Sequence, residues 1–382
     1  MKQYKILFVD HTASLGGAEL NLLDLATAYS QTSKVLLFEN GAFRERLENR
    51  KIKVEVIQVP EKILNLRASA GLEAFKSIPQ LWTSAGLVAT TAAEFDLIHA
   101  NSQKAFIVSA LATLRVNTPV VWHLHDILTA KHFSSLNRRI AVTLANRFAT
   151  KVLVNSQATG EAFVAAGGRK ELVEVVYNGF DSEPFDRIAP EEIREIRERL
   201  NLQNVPVVGL FSRLSYWKGQ HILLSALKDL PQVHALLVGE ALFGEAEYVF
   251  EIKALADAPE LKDRVHWLGF RDDIPLLMKA CDIVVHTSTE PEPFGRVIVE
   301  GQLAQRPEIA SAAGGALELI EDGVNGRHFP PGDVDALRKA ISELINNPSM
   351  ASNLAHQGYT NAKQNFSLEN VLHSFERAIS DI

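Results

Sequence analysis

The sequence has little of several features that mark large classes of protein. A single cysteine, Cys281, stands among the 382 residues, which excludes an internal disulfide and a metal site built from several cysteines. No stretch approaches the roughly 20 uncharged apolar residues of a membrane-spanning helix. The first apolar run, residues 6–9, ends at Asp10, too early for a secretion signal. These absences predict a reducing, cytoplasmic location.

Basic residues are also in the minority, with 39 Lys and Arg against 46 Asp and Glu and a net charge of −7. The imbalance lies in the second half, because 20 basic and 17 acidic residues precede position 184 whereas 19 and 29 follow it. Proteins that bind nucleic acid usually carry a strongly basic face, so nucleic acid is not an expected partner. The mildly basic first half could still meet an anionic surface.

The remaining composition is typical of a globular protein, with 47% hydrophobic and 22% charged residues. A chain of this length is expected to form two or three domains. Short β-branched runs alternate with segments of helical period, which predicts parallel sheets covered by helices on both faces. The predicted strands are residues 5–10, 34–39, 54–59, 96–100, 120–125, 151–155, 173–177, 205–211, 233–238, 265–270, 282–287 and 309–311.

The alternation breaks once, at turn residues 177–184 followed by the charged helical segment 190–202, and then restarts. We therefore predict two doubly wound α/β domains with a hinge near residue 185. Ligands of open α/β sheets bind beyond the carboxyl ends of the strands. Functional residues are accordingly expected in the segments that follow the strands, and in a cleft between the two domains.

The segment after the first strand holds the adjacent glycines Gly16 and Gly17, followed at once by a predicted helix. Glycines let a backbone approach an anion closely, and a helix N-terminus adds positive potential. A tight turn without a ligand explains the pair equally well. The spacing differs from the Gly-x-Gly-x-x-Gly of dinucleotide-binding proteins, which argues against a nicotinamide cofactor.

Two cations, Arg213 and Lys218, stand five residues apart after the first strand of the second series. A guanidinium supplies a fork of donors and an ammonium a point charge, so together they can bind one diphosphate. Two solvated surface cations are the alternative. Their position beyond a predicted buried strand, with Gly219 ahead of a helix, favours the diphosphate.

The most informative segment is 286–300, in which seven residues separate Glu292 from Glu300. Pro293 is suited to open a helix, and Gly295 allows a ligand near the backbone. From Val297 on, a helix would present Glu300 from its second turn and leave Glu292 at its N-terminus, where free N–H groups attract an anion. The pair predicts a site for sugar hydroxyls and ribose hydroxyls with a phosphate between them.

With Pro293-Phe294-Gly295 between them, Glu292 and Glu300 resemble the Glu-x7-Glu signature of retaining glycosyltransferases of family four, which have the GT-B fold. Further fragments agree with this family, in order, along nearly the whole chain. They are Gly16-Gly17-Ala18-Glu19, Val154-Asn155-Ser156, Asn178-Gly179-Phe180-Asp181, Arg213 with Lys218, Gly269-Phe270-Arg271-Asp272-Asp273, Gly314-Gly315-Ala316-Leu317-Glu318 and Asp322-Gly323-Val324-Asn325-Gly326. The chain is also weakly similar to cyanobacterial heterocyst-envelope polysaccharide glucosyltransferases.

The resemblance implies a fold of two Rossmann-like α/β domains that face each other across a deep cleft. Residues 1–185 would bind the acceptor, and residues 186–366 would bind a nucleotide sugar. The C-terminal helix, residues 367–382, would return to the first domain.

The resemblance also implies roles for individual residues. Arg213 and Lys218 would clamp the donor diphosphate and stabilise the leaving nucleotide. Glu292 would contact the transferred sugar, Glu300 would hold the ribose hydroxyls, and His125 from the first domain would reach the donor sugar. The remaining donor contacts would be Gly16, Gly17, Arg271, Phe294, Gly295, Arg296 and Val297.

The implied reaction moves a hexose, with glucose from UDP-glucose as the first choice, to a saccharide or lipid-linked saccharide in polysaccharide biosynthesis. No metal ion is expected. Asp333 and Asp335 resemble metal ligands, but they precede a helical segment and are expected to act as N-caps. Two alternatives stay open: a sugar-nucleotide epimerase on the same scaffold, and a sugar-nucleotide-binding protein without turnover.

Other polar residues are expected to be structural. His99 and His123 fall within predicted strands, where a satisfied core histidine is the simpler explanation, and a place on the acceptor side is the alternative for His99. Glu308 stands where relatives usually have valine, in a predicted buried strand, so we expect it to pair with Arg306 or to lie at a sheet edge.

The segment 131–151 combines basic and apolar residues at helical spacing. A basic amphipathic helix can rest on an anionic membrane, and a core-packed helix with a solvated face explains the same pattern. Both interpretations stay open, and the sequence indicates no oligomeric state. The basic members of this segment are Lys131, His132, Arg138, Arg139, Arg147 and Lys151.

Overall fold

The computed structural model describes residues 4–57, 59, 78–129, 134–242 and 244–382. The chain divides into two compact units. One unit comprises Met1–Gly179 with Leu368–Ile382, and the other comprises Phe180–Ser367. Each unit is built on one parallel sheet.

The first unit contains seven strands in the order β3-β2-β1-β4-β5-β6-β7. The strands are β1 Ile6–Asp10, β2 Lys34–Leu37, β3 Lys53–Val56, β4 Leu97–Ala100, β5 Val120–Leu124, β6 Ala149–Val154 and β7 Val173–Val175. The helices between them in the described part of the chain are α1 Gly17–Ala28, α2 Ala42–Asn49, α3 Ile78–Ala92, α4 Gln103–Ala112, α5 Ser135–Phe148 and α6 Gln157–Ala165.

Burial explains why the central segments of this unit are strands. β1, β4 and β5 are buried at every position, and they are apolar along most of their length, as strands covered on both faces are. Trp122 of β5 stacks on Phe106, with 4.7 Å between the ring centroids. The C-terminal helix, Leu368–Ala378, packs on the same unit through Phe375, whose ring lies 5.7 Å from that of His99. The expected return of this helix to the first domain is confirmed.

The second unit contains six strands in the order β10-β9-β8-β11-β12-β13. The strands are β8 Val207–Phe211, β9 His234–Val238, β10 Val265–Gly269, β11 Ile283–His286, β12 Glu308–Ser311 and β13 Arg327–Phe329. The helices in its described part are α7 Glu183–Asp186, α8 Pro190–Arg199, α9 Gln220–Leu227, α10 Ala246–Ala256, α11 Ile274–Ala280, α12 Arg296–Leu303, α13 Ala316–Leu319, α14 Val334–Asn346 and α15 Pro348–Asn365.

The order of strands reverses once in each sheet, between β1 and β4 in the first unit and between β8 and β11 in the second. The loops that leave two neighbouring strands at such a point run to opposite faces of the sheet and leave a crevice between them. The loops after β8 and β11 carry Arg213, Lys218 and Glu292. These three predicted donor residues of the second unit therefore lie at its switch point.

The expectation for Glu308 is wrong. β12 lies between β11 and β13, so Glu308 is not at an edge, and Arg306 directs Nη2 to the carbonyl oxygen of Lys279 at 2.6 Å instead. Among the described residues, neither carboxyl oxygen of Glu308 has a hydrogen-bond partner. Burial, followed by the charge of Glu300, raises the pKa of Glu308 well above its usual range. The acid is therefore held in its neutral form, which needs no cation.

Two other expectations concern helices. Asp333 is the N-cap of α14, since its Oδ1 accepts from the backbone N–H of Ala336 at 2.9 Å, as expected. In the described part of the chain, no helix combines the length and apolar character needed to cross a bilayer.

Candidate active site

Two loops meet at the switch point of the second sheet. The loop after β8 includes a 3₁₀ turn, Tyr216–Lys218, and the loop after β11 carries Glu292. Lys218 Nζ donates to Glu292 Oε1 at 2.6 Å, and only 13% and 14% of the two side chains are exposed. Two residues that the resemblance assigns to the diphosphate and to the sugar of a donor are thus in direct contact.

The second oxygen of Glu292 is also occupied. Oε2 accepts from His286 Nε2 at 2.6 Å and from Ser288 Oγ at 2.8 Å. Burial alone would raise the pKa of Glu292, but the charges and hydrogen bonds of Lys218 and His286 hold this pKa well below its usual range. Glu292 is therefore an ionised carboxylate whose orientation is fixed from both sides.

Trp217 lies next to both predicted clamp cations. Its ring centroid is 5.5 Å from Arg213 Cζ and 4.1 Å from Lys218 Nζ. An aromatic face attracts cations without neutralising them, so the indole can hold two like charges near each other. Arg213 is exposed and can bind an anion that arrives from solvent.

Backbone contacts fasten the two loops together. Thr287 Oγ1 donates to the carbonyl oxygen of Lys218 at 2.8 Å, and the N–H of Thr289 donates to that of Trp217 at 2.8 Å. Gly219 has a φ of 73° and lies against the Thr287 carbonyl, where a Cβ would collide. A glycine is required there for the loop bearing Lys218 to approach the loop bearing Glu292 so closely.

Helix α12 begins one residue before the predicted start at Val297, and Pro293 lies ahead of it rather than in its first turn. Its N-cap is Gly295 at a φ of 99°, and Arg296 is its first residue. Glu292 instead pairs with the loop after β12, since its carbonyl oxygen accepts from the N–H of Gly315 at 2.8 Å. Glu300 is nevertheless in the second turn of the helix, as expected.

Glu300 and Arg296 are neighbours on α12, with 3.6 Å between Arg296 Nε and Glu300 Oε1. Burial raises the pKa of Glu300, and the charge of Arg296 opposes this rise. The Arg296 guanidinium lies 4.4 Å from the ring centroid of Phe180, and Phe180 stacks on Phe294 at 6.2 Å. Phe294 is thus a core residue through its side chain, and Val297 follows in the first turn of the same helix.

Arg271 does not join this group of residues. It lies beyond the end of β10, and its guanidinium forms a two-pronged ion pair with Asp273 at 2.7 and 2.5 Å. The donor contact expected of Arg271 stays a prediction.

In the first unit, His125 is held by a chain of hydrogen bonds from a buried carboxylate. His125 Nε2 lies 3.0 Å from Asn101 Oδ1, and Asn101 Nδ2 donates to Asp10 Oδ2 at 2.7 Å. Burial raises the pKa of Asp10, but hydrogen bonds from His11, Asn101 and Ser102 bring it below its ordinary value. A carboxylate only accepts, so the Asn101 amide must turn its nitrogen toward Asp10 and its oxygen toward His125. Because that oxygen also only accepts, His125 Nε2 must carry the proton.

His99 and His123 form a buried pair beside this chain, with His99 Nε2 3.1 Å from His123 Nδ1. Burial lowers the pKa of His99 to about 3 and that of His123 well below its usual range. Two neutral imidazoles in a sheet core support the structural role expected for both.

The two predicted phosphate-facing glycines stand at the start of α1, with Gly16 as its N-cap and Gly17 as its first residue. The carboxyl of Glu19 lies against Gly16. Burial, followed by the charge of Asp10, raises the pKa of Glu19 to about 8. The glycine loop of this unit therefore carries a neutral acid at moderate pH.

Two family models together match most of the chain. The model "Glycosyl transferases group 1" matches residues 192–363, and "Glycosyl transferase 4-like domain" matches residues 16–179. The chain is also 46% identical to Anabaena HepE, solved in complex with UDP-glucose, at a TM-score of 0.90 over 99% of this chain and 100% of that one. The chain is a family-four glycosyltransferase.

Curated relatives of this glycosyltransferase are more distant. Spore coat protein SA of Bacillus subtilis is 29% identical over 302 residues, which are 74% of this chain and 78% of that protein. D-inositol 3-phosphate glycosyltransferase of Mycobacterium marinum is 27% identical over 333 residues, 81% of this chain and 71% of that one. The expected GT-B fold class and the use of a nucleotide sugar are confirmed by this family membership.

Several residues beside the predicted site residues of one unit or the other have no role in the sequence interpretation. They are Asp10, Glu19, Asn101, Trp217, His286 and Ser288. Each follows or ends a strand, or stands beside a predicted motif, and this position at the carboxyl edge of a sheet is the signal that could have found them. The side chains that these residues contact could not have been found from the sequence, because the order of strands in the sheet decides which loops lie next to each other.

The Asn101→Ala variant of the glycosyltransferase is expected to lower kcat by about tenfold, the low end of the effect of removing a residue that orients a functional histidine. The reason is that His125 loses the acceptor that fixes its protonated nitrogen. Steady-state kinetics would check this. Asn146→Ala is the matched control, because within the described part of the chain the Asn146 side chain bonds the backbone of Gly167 and Arg169 and no other group. An equal loss of kcat in both variants would contradict the assignment.

Glu19 should make the stability of the glycosyltransferase depend on pH. The unfolded chain loses the Glu19 proton above its ordinary pKa of 4.5, whereas the folded chain keeps it up to about 8. Stability should therefore fall as pH rises through this window, by about 3 kcal/mol at neutral pH. Urea unfolding across this window should show a smaller loss of stability with rising pH in Glu19→Gln than in wild type. A variant with an unchanged slope would show that Glu19 is ionised in the folded state.

Proposed function

We propose that this glycosyltransferase moves glucose from UDP-glucose to a saccharide or lipid-linked saccharide acceptor in polysaccharide assembly, and that it retains the anomeric configuration. The contact of Lys218 with Glu292, beside the exposed Arg213, carries the proposal. Crystal structures of Anabaena HepE with UDP-glucose, with UDP and glucose, and with UDP support the choice of donor.

In the proposed reaction the bond from the anomeric carbon to the diphosphate breaks, and the acceptor oxygen bonds to that carbon on the same face. The acceptor proton passes to the departing phosphate oxygen. Arg213 and Lys218 stabilise the negative charge that grows on the diphosphate, and Glu300 holds the ribose hydroxyls.

Glu292 is assigned to positioning and electrostatics rather than to a covalent bond with the sugar. Both of its oxygens already accept strong hydrogen bonds, from Lys218 on one side and from His286 and Ser288 on the other. A carboxylate with a lowered pKa and three donors is a weak nucleophile. Its negative charge can still stabilise the positive charge that develops at the anomeric carbon.

The proposed chemistry uses no metal ion. Two cations and the N-terminus of α12 supply the positive potential that a diphosphate leaving group needs. Treatment with EDTA should therefore leave the transfer rate unchanged, whereas a loss restored by added Mg²⁺ would contradict this part of the proposal.

The decisive experiment measures UDP release from a panel of nucleotide sugars, with and without candidate acceptors, followed by NMR of the product linkage. UDP-glucose should give the fastest release and an α-linked product, and Glu292→Gln should suppress both. Accumulation of an epimerised nucleotide sugar without an acceptor would instead favour the epimerase. No UDP release from any donor would contradict the proposal.

We also propose that α5 contacts an anionic membrane. This helix has three arginines and no acidic residue, and packs on its unit through Ala141, Val142 and Ala145. Its other face exposes Leu136 at 50% and Ile140 at 41%, beside the exposed Arg139. Lys131 and His132, also predicted for this surface, lie outside the described residues.

Co-sedimentation with anionic liposomes tests this contact. Wild type should bind at low salt and be released at high salt, because the attraction is partly electrostatic. The double variant Leu136→Ser, Ile140→Ser should lose binding. Val164→Ser, which changes a valine that is 37% exposed on α6, should keep it. Absence of wild-type binding at low salt would contradict the proposal.

A further inference from the structure

His286 has one polar contact network, and it leads to Glu292. The residue ends β11, and 4% of its side chain is exposed. Its Nε2 lies 2.6 Å from Glu292 Oε2 and 3.1 Å from Ser288 Oγ, which itself donates to the same Glu292 oxygen. The other ring nitrogen, Nδ1, is buried and has no hydrogen-bond partner among the described residues.

The chemistry of the pair fixes the direction of this hydrogen bond. An ionised carboxylate only accepts, so His286 Nε2 must be the donor. Among the described residues, the hydrogen bonds of this ring lead only to Glu292 and Ser288, so that carboxylate orients the ring and the backbone of its own sheet does not. In contrast, His328 of the same sheet places both ring nitrogens against backbone carbonyl oxygens, those of Ile320 and Ala310.

The two carboxylate oxygens of Glu292 are held by different groups, and this gives the contact with His286 a function. Lys218 holds Oε1, but the proposed function requires Lys218 to bind the donor diphosphate as well. When the ammonium is drawn toward the phosphates, only the donors on Oε2 still hold the carboxylate. His286 stands at the end of a buried strand, outside the loop after β8 that carries Lys218.

We propose that His286 is the positioning residue for Glu292, and that it keeps this carboxylate ionised and aimed at the transferred sugar while Lys218 is engaged by the diphosphate. This inference rests on the proposed function and deepens it. The charged or titratable groups that act on Glu292 are Lys218 from the 3₁₀ turn and His286 from β11. The loop after β12 contributes the backbone N–H of Gly315, which bonds the Glu292 carbonyl.

Three variants at this position separate positioning from packing. His286→Phe keeps a ring and removes the donor, His286→Asn has a donor too short to reach Glu292, and His286→Gln has one that can reach it. The control is His328→Phe, which removes a ring that hydrogen-bonds a backbone carbonyl of the same sheet outside the site. The readouts are kcat, the donor KM, the acid limb of the pH profile of kcat/KM, and the midpoint of thermal unfolding.

His286→Phe is expected to lower kcat by about tenfold to a hundredfold, with a smaller change in KM. Loss of a donor disfavours the ionised carboxylate, so the acid limb should move to higher pH by about one to two units. His286→Gln should recover part of kcat and return the acid limb toward wild type, and His328→Phe should change only the thermal midpoint.

A wild-type kcat and acid limb in His286→Phe would overturn the proposal, as would the same shift in His328→Phe. If His286→Phe does not fold, the comparison of the Gln and Asn variants decides, since equal kcat and acid limbs in the two would overturn it. Failure of the proposed function is distinct, because it would appear as a wild-type enzyme that turns over no nucleotide sugar.

Discussion

The Lys218→Met variant is expected to lower kcat/KM for sugar transfer by about a hundredfold to a thousandfold, the cost of removing one donor that stabilises transition-state charge. The variant loses one of two cations available to the diphosphate. It should also lose about 3–5 kcal/mol of unfolding free energy, because Glu292 is left as a buried charge without its ammonium partner. Steady-state kinetics and urea unfolding measure the two effects independently.

The double variant Lys218→Met, Glu292→Gln separates stability from catalysis. Replacing both members of a buried ion pair removes the uncompensated charge, so most of the lost stability should return. Activity should stay as low as in the single variants. A double variant as unstable as Lys218→Met alone would contradict the ion pair, and near-normal transfer by Lys218→Met would contradict the clamp.

The Glu308→Val variant is expected to raise the unfolding free energy by about 2 kcal/mol, because it removes a buried acid that has no hydrogen-bond partner in the described structure. The gain should grow with pH. The unfolded chain releases the Glu308 proton above its ordinary pKa of 4.5, whereas burial keeps it bound in the folded protein. Wild-type stability therefore falls as pH rises above that value, and the valine variant lacks this slope.

Gly301 lies against Glu308, so a variant at Gly301 provides a second test of this prediction. A Cβ built on Gly301 would collide with Glu308 Oε1, so Gly301→Ala alone should cost about 1–3 kcal/mol through overpacking. In the Glu308→Val background the same change should be close to neutral. Urea unfolding of the four proteins gives the coupling energy directly. Costs of Gly301→Ala that are equal in both backgrounds would show that the two residues do not interact.

The sheets could be predicted because local patterns encode them. Each predicted strand overlaps an observed one, since apolar β-branched runs specify buried strands wherever they pack. β13 has no such pattern, because Arg327 and His328 make up most of its three residues. It forms through pairing with β12, in the register of Ile309 with Arg327, and such pairing leaves no trace in its own sequence.

The site could be predicted residue by residue but not as an arrangement. Lys218 and Glu292 are 74 positions apart in sequence, and they meet only because β8 and β11 are neighbours in the sheet. The sequence therefore predicts separate roles for Lys218, which would bind the diphosphate, and Glu292, which would contact the sugar. The structure instead shows an ion pair between them. The start of α12 at Arg296 also depends on the left-handed conformation of Gly295, which outweighs the preference of Pro293 for a first turn.

The most direct test of the central claim is a crystal structure of the protein with UDP. We expect diphosphate oxygens within hydrogen-bond distance of both Arg213 and Lys218, the ribose hydroxyls on Glu300, and His286 still bonded to Glu292. A nucleotide bound elsewhere, or a diphosphate that touches neither cation, would contradict the account.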